Sequence, residues 1–148
     1  LISQKTKKED PLSITKASQE LLEFVEIVDP KKDPKTLNKL FKVFVQLVQT
    51  MAEDSKQNLE KVNQIKNKIK NKKIAPTQLR SIVYVLKQKL KSLKKALAHQ
   101  EDTNRLFKEK LPKAVDTRID TALIESKVII KDMEKAVSGL IESKEKIK

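Results

Sequence analysis

Apolar residues return along this chain at alternating intervals of three and four, the spacing that gathers side chains on one side of a helix. Ile14, Ala17, Leu21, Phe24, Val25 and Val28 make the first such stripe. Asp10-Pro11 supplies a helix start ahead of it, with Asp10 or Ser13 as the cap. Asp29-Pro30 ends it, because the residue before a proline is pushed out of the helical region. Asp33-Pro34 repeats the start signal, and Leu37, Phe41, Phe44, Val48 and Met51 follow. The stripe resumes at Val62, Ile65 and Ile69, with Ser55 and Asn58 at the two seam positions between. Leu40, Val43, Val45 and Leu47 widen its first half, as if more than one neighbour packs there. A single helix from Pro34 to about Asn71 would be about 57 Å long at 1.5 Å per residue. Asp54 or Ser55 could cap a new helix, so the pattern admits a break near residue 54. With no Gly or Pro to enforce one, a continuous or kinked helix is expected.

Lys72 to Ala75 reads as the next turn, and Pro76-Thr77 opens a third helix. Its seam runs through Leu79, Ile82, Val83, Leu86, Leu90, Leu93 and Leu97, then thins from Gln100 to Asn104 before Leu106 and Phe107. Pro112 separates it from a last long helix, patterned from Val115 through Ile119, Leu123, Ile130, Met133 and Val137 to Ile141. Short connections between long amphipathic helices make sequential neighbours antiparallel. The fold expected is all-α: an antiparallel bundle of three long helices with a short N-terminal helix packed at one end, resembling a four-helix bundle. Residues 1–10 are polar, lysine-rich and unpatterned, and read as a flexible leader. Residues 11–148 form one domain, as the length of 148 residues suggests.

Composition agrees with long helices. Lys, Leu, Glu and Gln are plentiful, Gly occurs once, and aromatic residues make up 3% of the chain, so packing must come from aliphatic seams. The absence of cysteine excludes a disulfide framework or a thiolate metal site. No apolar run approaches the roughly 20 residues of a membrane span.

Charge changes the picture more. The chain carries 33 basic and 20 acidic residues. Residues 61–100 contain eleven Lys and one Arg but no Asp or Glu; the rest of the chain holds 21 basic against 20 acidic residues. On the expected bundle this stretch is a helical hairpin, with Lys66, Lys70 and Lys73 on one stripe and Lys87, Lys91 and Lys94 on another. Lys68, Arg80 and Lys95 complete the candidate residues for an anion or partner contact. Clustered cations attract polyanions in a salt-dependent way. A solvated face in a lysine-rich chain is the plainer explanation, since Lys is abundant throughout. Base readout needs Arg forks, groove-reading amides or stacking aromatics. Arg80 and Tyr84 alone in the stretch do not suffice, so sequence-specific nucleic-acid binding is not expected. Lysine, a point charge without a demanding geometry, suits sulfated sugars, anionic head groups or an acidic protein surface.

Catalytic chemistry is not in view. His99 is the sole histidine, and Glu101 and Asp102 nearby would have to converge with it in a pocket to act as an acid–base pair. Glu53-Asp54 and Glu101-Asp102 are poor metal sites, because adjacent residues point to different sides of a helix. No cofactor and no catalytic or metal residue is therefore assigned. Gly139, inside the last helix, reads as permitting close helix approach or a slight kink.

The lysine-rich leader, the cysteine-free body and long Lys/Ile/Asn/Leu helices such as Leu37–Met51 and Val115–Ile141 resemble the plasmid-encoded helical outer-surface lipoproteins of Borrelia spirochaetes. That resemblance implies a virulence-associated cell-surface protein, held at the outer membrane by a lipid anchor outside this segment. It also implies engagement with a host or vector protein or a glycosaminoglycan. The expected function is a non-enzymatic helical binding protein whose basic hairpin, residues 61–100, meets an anionic molecule. The alternative is a structural or interaction bundle that dimerises or binds a partner helix through an apolar face, leaving monomer and homodimer both open.

Overall fold

In a computed structural model of the chain, residues 11–114 and 116–146 are described, and the leader expected over residues 1–10 lies outside them. Among the described residues there are four α-helices and no strand. They are α1 (Pro11–Ile27), α2 (Pro34–Lys70), α3 (Pro76–Lys110) and α4 (Thr117–Lys146), with a 3-10 turn, Pro112–Ala114, before α4. This is the all-α bundle of three long helices and one short one that the apolar spacing predicts.

Proline chemistry sets the starts. Pro11, Pro34 and Pro76 each stand first in a helix, where a missing N–H costs nothing. Asp33 caps α2 by accepting from the Thr36 N–H at 3.3 Å. The Gln78 side chain accepts from the Ala75 N–H at 3.2 Å, half of a capping box. α2 runs unbroken for 37 residues, so no break occurs at residue 54. It ends in a Schellman-type turn: the Lys73 N–H donates to the Lys68 carbonyl and the Lys72 N–H to that of Ile69. Lys72 takes the left-handed conformation (φ 56°) there, a place usually held by glycine.

The packing order differs from a simple hairpin stack. α1 lies chiefly against α3, α2 against α4, and α3 also against α4; α2 and α3 meet less than either meets these partners. Among the described residues α1 does not touch α4. The helices thus occupy the corners of a square in the order α1, α3, α4, α2, with the sequence neighbours α2 and α3 across a diagonal. The hairpin of residues 61–100 keeps its shared end, although α2 and α3 meet each other less than either meets α4.

Side-chain contacts fix the level of α1. The Thr15 Oγ1 donates to the Ser92 carbonyl at 2.7 Å, and the Gln100 Nε2 donates to the Ser18 Oγ at 3.1 Å. The Lys110 Nζ donates to the carbonyls of Val25, Glu26 and Val28 at 2.5, 2.9 and 2.9 Å. α1 therefore runs parallel to the last half of α3. One half of the bundle has four helices, and the other, holding the acid-free stretch, has three.

The core is a single aliphatic seam with an aromatic knot. Phe107 sits edge-on to Phe41, ring centroids 5.1 Å apart, and tilted against Phe44 at 5.3 Å. Ser55 and Asn58 are buried at the seam positions expected of them. Gln100 and Thr103 are buried too, so the thinning of the third seam marks a polar layer beneath α1 rather than an outer surface. Gly139 departs from its expected role: a Cβ there would meet nothing within 4 Å, so no close helix approach requires it.

Candidate anion-binding surface

The nine candidate residues, Lys66, Lys68, Lys70, Lys73, Arg80, Lys87, Lys91, Lys94 and Lys95, are all exposed. Helix geometry divides them between two sides of the bundle. Val48 of α2 shares a groove with Ile119 and Ala122 of α4. Lys66 stands eighteen residues beyond Val48, five full turns at 3.6 residues per turn, and so lies on the α4 side of α2. Lys94 forms an ion pair with Glu134 of α4. Lys87 and Arg80 precede Lys94 by two and four turns on the same line. Lys66 and Lys70 thus flank one side of α4, and Arg80, Lys87, Lys91 and Lys94 the other. Lys73 lies past the end of α2, in the turn, so it does not extend the Lys66–Lys70 stripe. It instead shares a groove with Lys68, Ile74, Gln78, Ser81 and Ile82, on the side away from α4.

Ion pairing is as uneven as the charge. Among the described residues there are five ion pairs. Four lie between residues 101 and 127: Arg105 with Asp102, Lys108 with Asp120, Arg118 with Asp116 and Lys127 with Glu101. Of the twelve cations in residues 61–100, only Lys94 has a carboxylate partner among the described residues. The part of α4 alongside them, residues 131–146, carries four Lys and four acidic residues and adds no net charge. Of the remaining eleven, Lys89 is half-buried and the other ten are exposed, and each neighbouring like pair costs a few tenths of a kcal/mol.

The perturbed acids belong to the balanced half. The Lys108 ammonium, and then the Asn104 amide, hold the Asp120 carboxyl below its ordinary range. Hydrogen bonds from the Arg118 side chain and backbone do the same for Asp116. The Lys108–Asp120 pair joins α3 to α4 at an open cleft that Glu101, Asn104 and Lys127 also line. His99 is half-buried, and its carbonyl accepts from the Thr103 hydroxyl at 2.8 Å. Glu101 and Asp102 turn instead to Lys127 and Arg105. Asp54 is buried while Glu53 is exposed, the divergence expected of helix neighbours. No group of three potential metal ligands occurs among the described residues, and no helix there is long and apolar enough to cross a membrane.

On the basic half, Tyr84 and Val85 lie outside the expected seams, whereas Ile65 and Ile82 belong to them. Tyr84 and Val85 are 65% and 49% exposed, and Ile65 and Ile82 are only partly covered. The signal that could have found Val85 is the heptad line Gln78, Ile82, Val85, Lys89, which runs beside the main seam of α3.

No protein-family model, curated protein or solved structure matches the chain.

Proposed function

We propose that this chain is a non-enzymatic, surface-exposed helical binding protein whose basic half contacts an anionic molecule, a glycosaminoglycan or an acidic protein surface. The observation that carries the reading is the density of cations without acids: residues 61–100 hold twelve cations and no Asp or Glu, and among the described residues only Lys94 of the twelve has a carboxylate partner, while four ion pairs gather between residues 101 and 127. Lysines without partners keep their full charge for an incoming polyanion, and their exposure means that little desolvation opposes contact. Because Lys66, Lys70, Arg80, Lys87, Lys91 and Lys94 stand on open helix faces to either side of α4, recognition there is by charge density and not by a fixed stereochemistry. The compositional resemblance to spirochaetal lipoproteins supports display at a cell surface through a lipid anchor outside this segment, facing a host or vector molecule.

Retention on immobilised heparin across a salt series tests the reading. Wild type is expected to elute well above physiological salt, and a folded Lys66/Lys70/Lys87/Lys91→Glu variant near the void. Equal elution of the two at low salt would refute it. Equal retention on DNA and heparin would point to a nonspecific polyanion surface. The apolar breadth of Leu37–Met51, which suggested dimerisation, is largely covered within the chain: Leu40, Val45 and Leu47 pack on the core, and Val43 is the exposed member.

A further inference from the structure

α1 fills only part of the groove between α2 and α3. On α3 the residues beneath it recur at heptad spacing as Ser92, Ala96, Gln100, Thr103 and Phe107, all buried. The same line continues toward the turn as Lys89, Val85, Ile82 and Gln78, and there it is exposed or half-exposed. On α2 the matching line passes from Leu47, Met51, Asp54 and Asn58, buried or half-buried, to Lys61, Ile65 and Lys68 in the open part. Among the described residues no helix covers the groove for about 17 Å from Gln78 to Lys89, three helical turns. At the turn it widens into an open depression of about 540 Å³ lined by Lys68, Lys73, Ile74, Gln78, Ser81 and Ile82.

Polarity along this groove is inverted relative to exposure. The covered part is polar, with Ser18, Gln100, Thr103 and Asp54 buried beneath or beside α1. The open part has an aliphatic floor of Ile65, Ile82 and Val85 between lysine rims. A surface meant only for water would have these the other way round.

We propose that the open groove receives an amphipathic helix of a partner protein, apolar on one face and acidic along its flanks, laid end to end with α1 so that the basic half becomes a four-helix bundle. Helix-in-groove recognition reads apolar anchors at i, i+3, i+4 and i+7, and α1 shows that this groove accepts a helix. Lys61 and Lys68 on one rim and Lys89 on the other have no carboxylate partner among the described residues, so acidic flanks are what they complement. A second copy of this chain, at net charge +13, would bring lysine against lysine. Residues 1–10 offer two apolar side chains, Leu1 and Ile2, and are themselves net positive, with Lys5, Lys7 and Lys8 against Glu9 and Asp10. The proposal rests on the anionic-partner reading and names the partner's form.

The test uses the full chain and a fluorescein-labelled fourteen-residue peptide, with Leu at three- and four-residue spacing and Glu on the flanks, followed by anisotropy at 0.15 M salt. A scrambled peptide of the same composition is expected to bind at least tenfold more weakly. Val85→Asp and Lys61→Glu/Lys68→Glu are each expected to weaken the patterned peptide at least tenfold, and Lys87→Glu/Lys91→Glu less than threefold, since those lysines lie on another face and charges beyond about 8 Å are screened. The exposed positions 61 and 68 keep the test valid if Val85→Asp does not fold. Equal binding of the two peptides, or equal loss from both lysine reversals, overturns the groove. So does a dimer in sedimentation that Val85→Asp dissolves, or a tenfold gain of peptide affinity on deleting residues 1–10. No peptide binding with heparin retention intact overturns the groove alone; loss of the heparin difference overturns the anionic-partner reading itself.

Discussion

Replacing Lys110 by Met should release the end of α1 while leaving the rest of the bundle in place. The Lys110 ammonium caps α1 from another helix, donating to three carbonyls, those of Val25, Glu26 and Val28, at 2.5–2.9 Å. Those carbonyls fall in the last turn of α1 and just beyond it, where no further intrahelical donor follows. Methionine retains most of the aliphatic stem, so the change isolates the charge and its hydrogen bonds. The Glu26 carbonyl is exposed and returns to water at little cost. The bonds to Val25 and Val28 are part-buried, and stranding each acceptor costs about 1 kcal/mol, the low end for a buried group. Losing a cation at a helix C-terminus adds about 0.5 kcal/mol. The sum is about 2–3 kcal/mol. For a chain near 150 residues that lowers the melting temperature by about 5–10 °C. Urea unfolding measures the total, and amide hydrogen exchange locates it: protection should fall in α1, which touches α3 and α2 but not α4. Lys108→Met, two residues away, removes an exposed pair with Asp120 and should cost less than about 1 kcal/mol. A Lys110→Met variant within about 0.5 kcal/mol of wild type, or one whose protection falls equally in α4, would refute the cap.

Three smaller effects follow from the same contacts. The hydroxyls of Ser55 and Ser126 are buried without a hydrogen-bond partner among the described residues, so Ser55→Ala and Ser126→Ala should each raise the urea midpoint, by about 0.5–1 kcal/mol in stability. Gly139→Ala should stabilise by a similar amount, because the added methyl meets nothing and the helix gains propensity. Asp120, held below the ordinary carboxylate value of about 3.9 by Lys108 and Asn104, stabilises the fold fully above that value and loses its contribution as pH falls through the lowered one. Between pH 5 and pH 2 the wild type should therefore lose more stability than Asp120→Asn, by on the order of 0.5 kcal/mol for so exposed a pair; parallel urea curves would count against it.

The helices were legible because the chain states their ends in proline: Pro11, Pro34 and Pro76 open helices, and Pro30 and Pro112 follow their ends. The apolar lines gave their inward faces, down to Ser55 and Asn58 in the second seam. Which helix lies beside which was not written there. A seam records that a face is covered, without naming its cover, so α2 and α3 read as a close hairpin pair although each packs more on α4, and α3 more on α1, than they do on each other. For the same reason Gln100 and Thr103 looked like a gap, when they are the polar floor under α1. The lysines of residues 61–100 were visible as a count, but their division around α4 depends on angle about the helix axis and on which neighbour occupies that angle.

The polar contacts of α1 also bear on why half of its groove stays open. Apolar contacts from Ile14, Leu21 and Val25 are not directional and would not by themselves fix the level of α1. A one-heptad slide toward the turn would set Ser18 near Leu93 instead of Gln100. It would leave the Gln100 amide without its acceptor, and draw the carbonyls of Val25 and Val28 out of reach of Lys110. Each loss strands a polar group at about 1 kcal/mol or more, while the apolar exchange is nearly even, so the present level wins by several kcal/mol. Buried polar pairs that choose one register among apolar equivalents are a known route to specificity. Here the register they choose leaves Ile82 and Val85 uncovered between lysines, so the polar floor that holds α1 down also keeps the basic groove vacant.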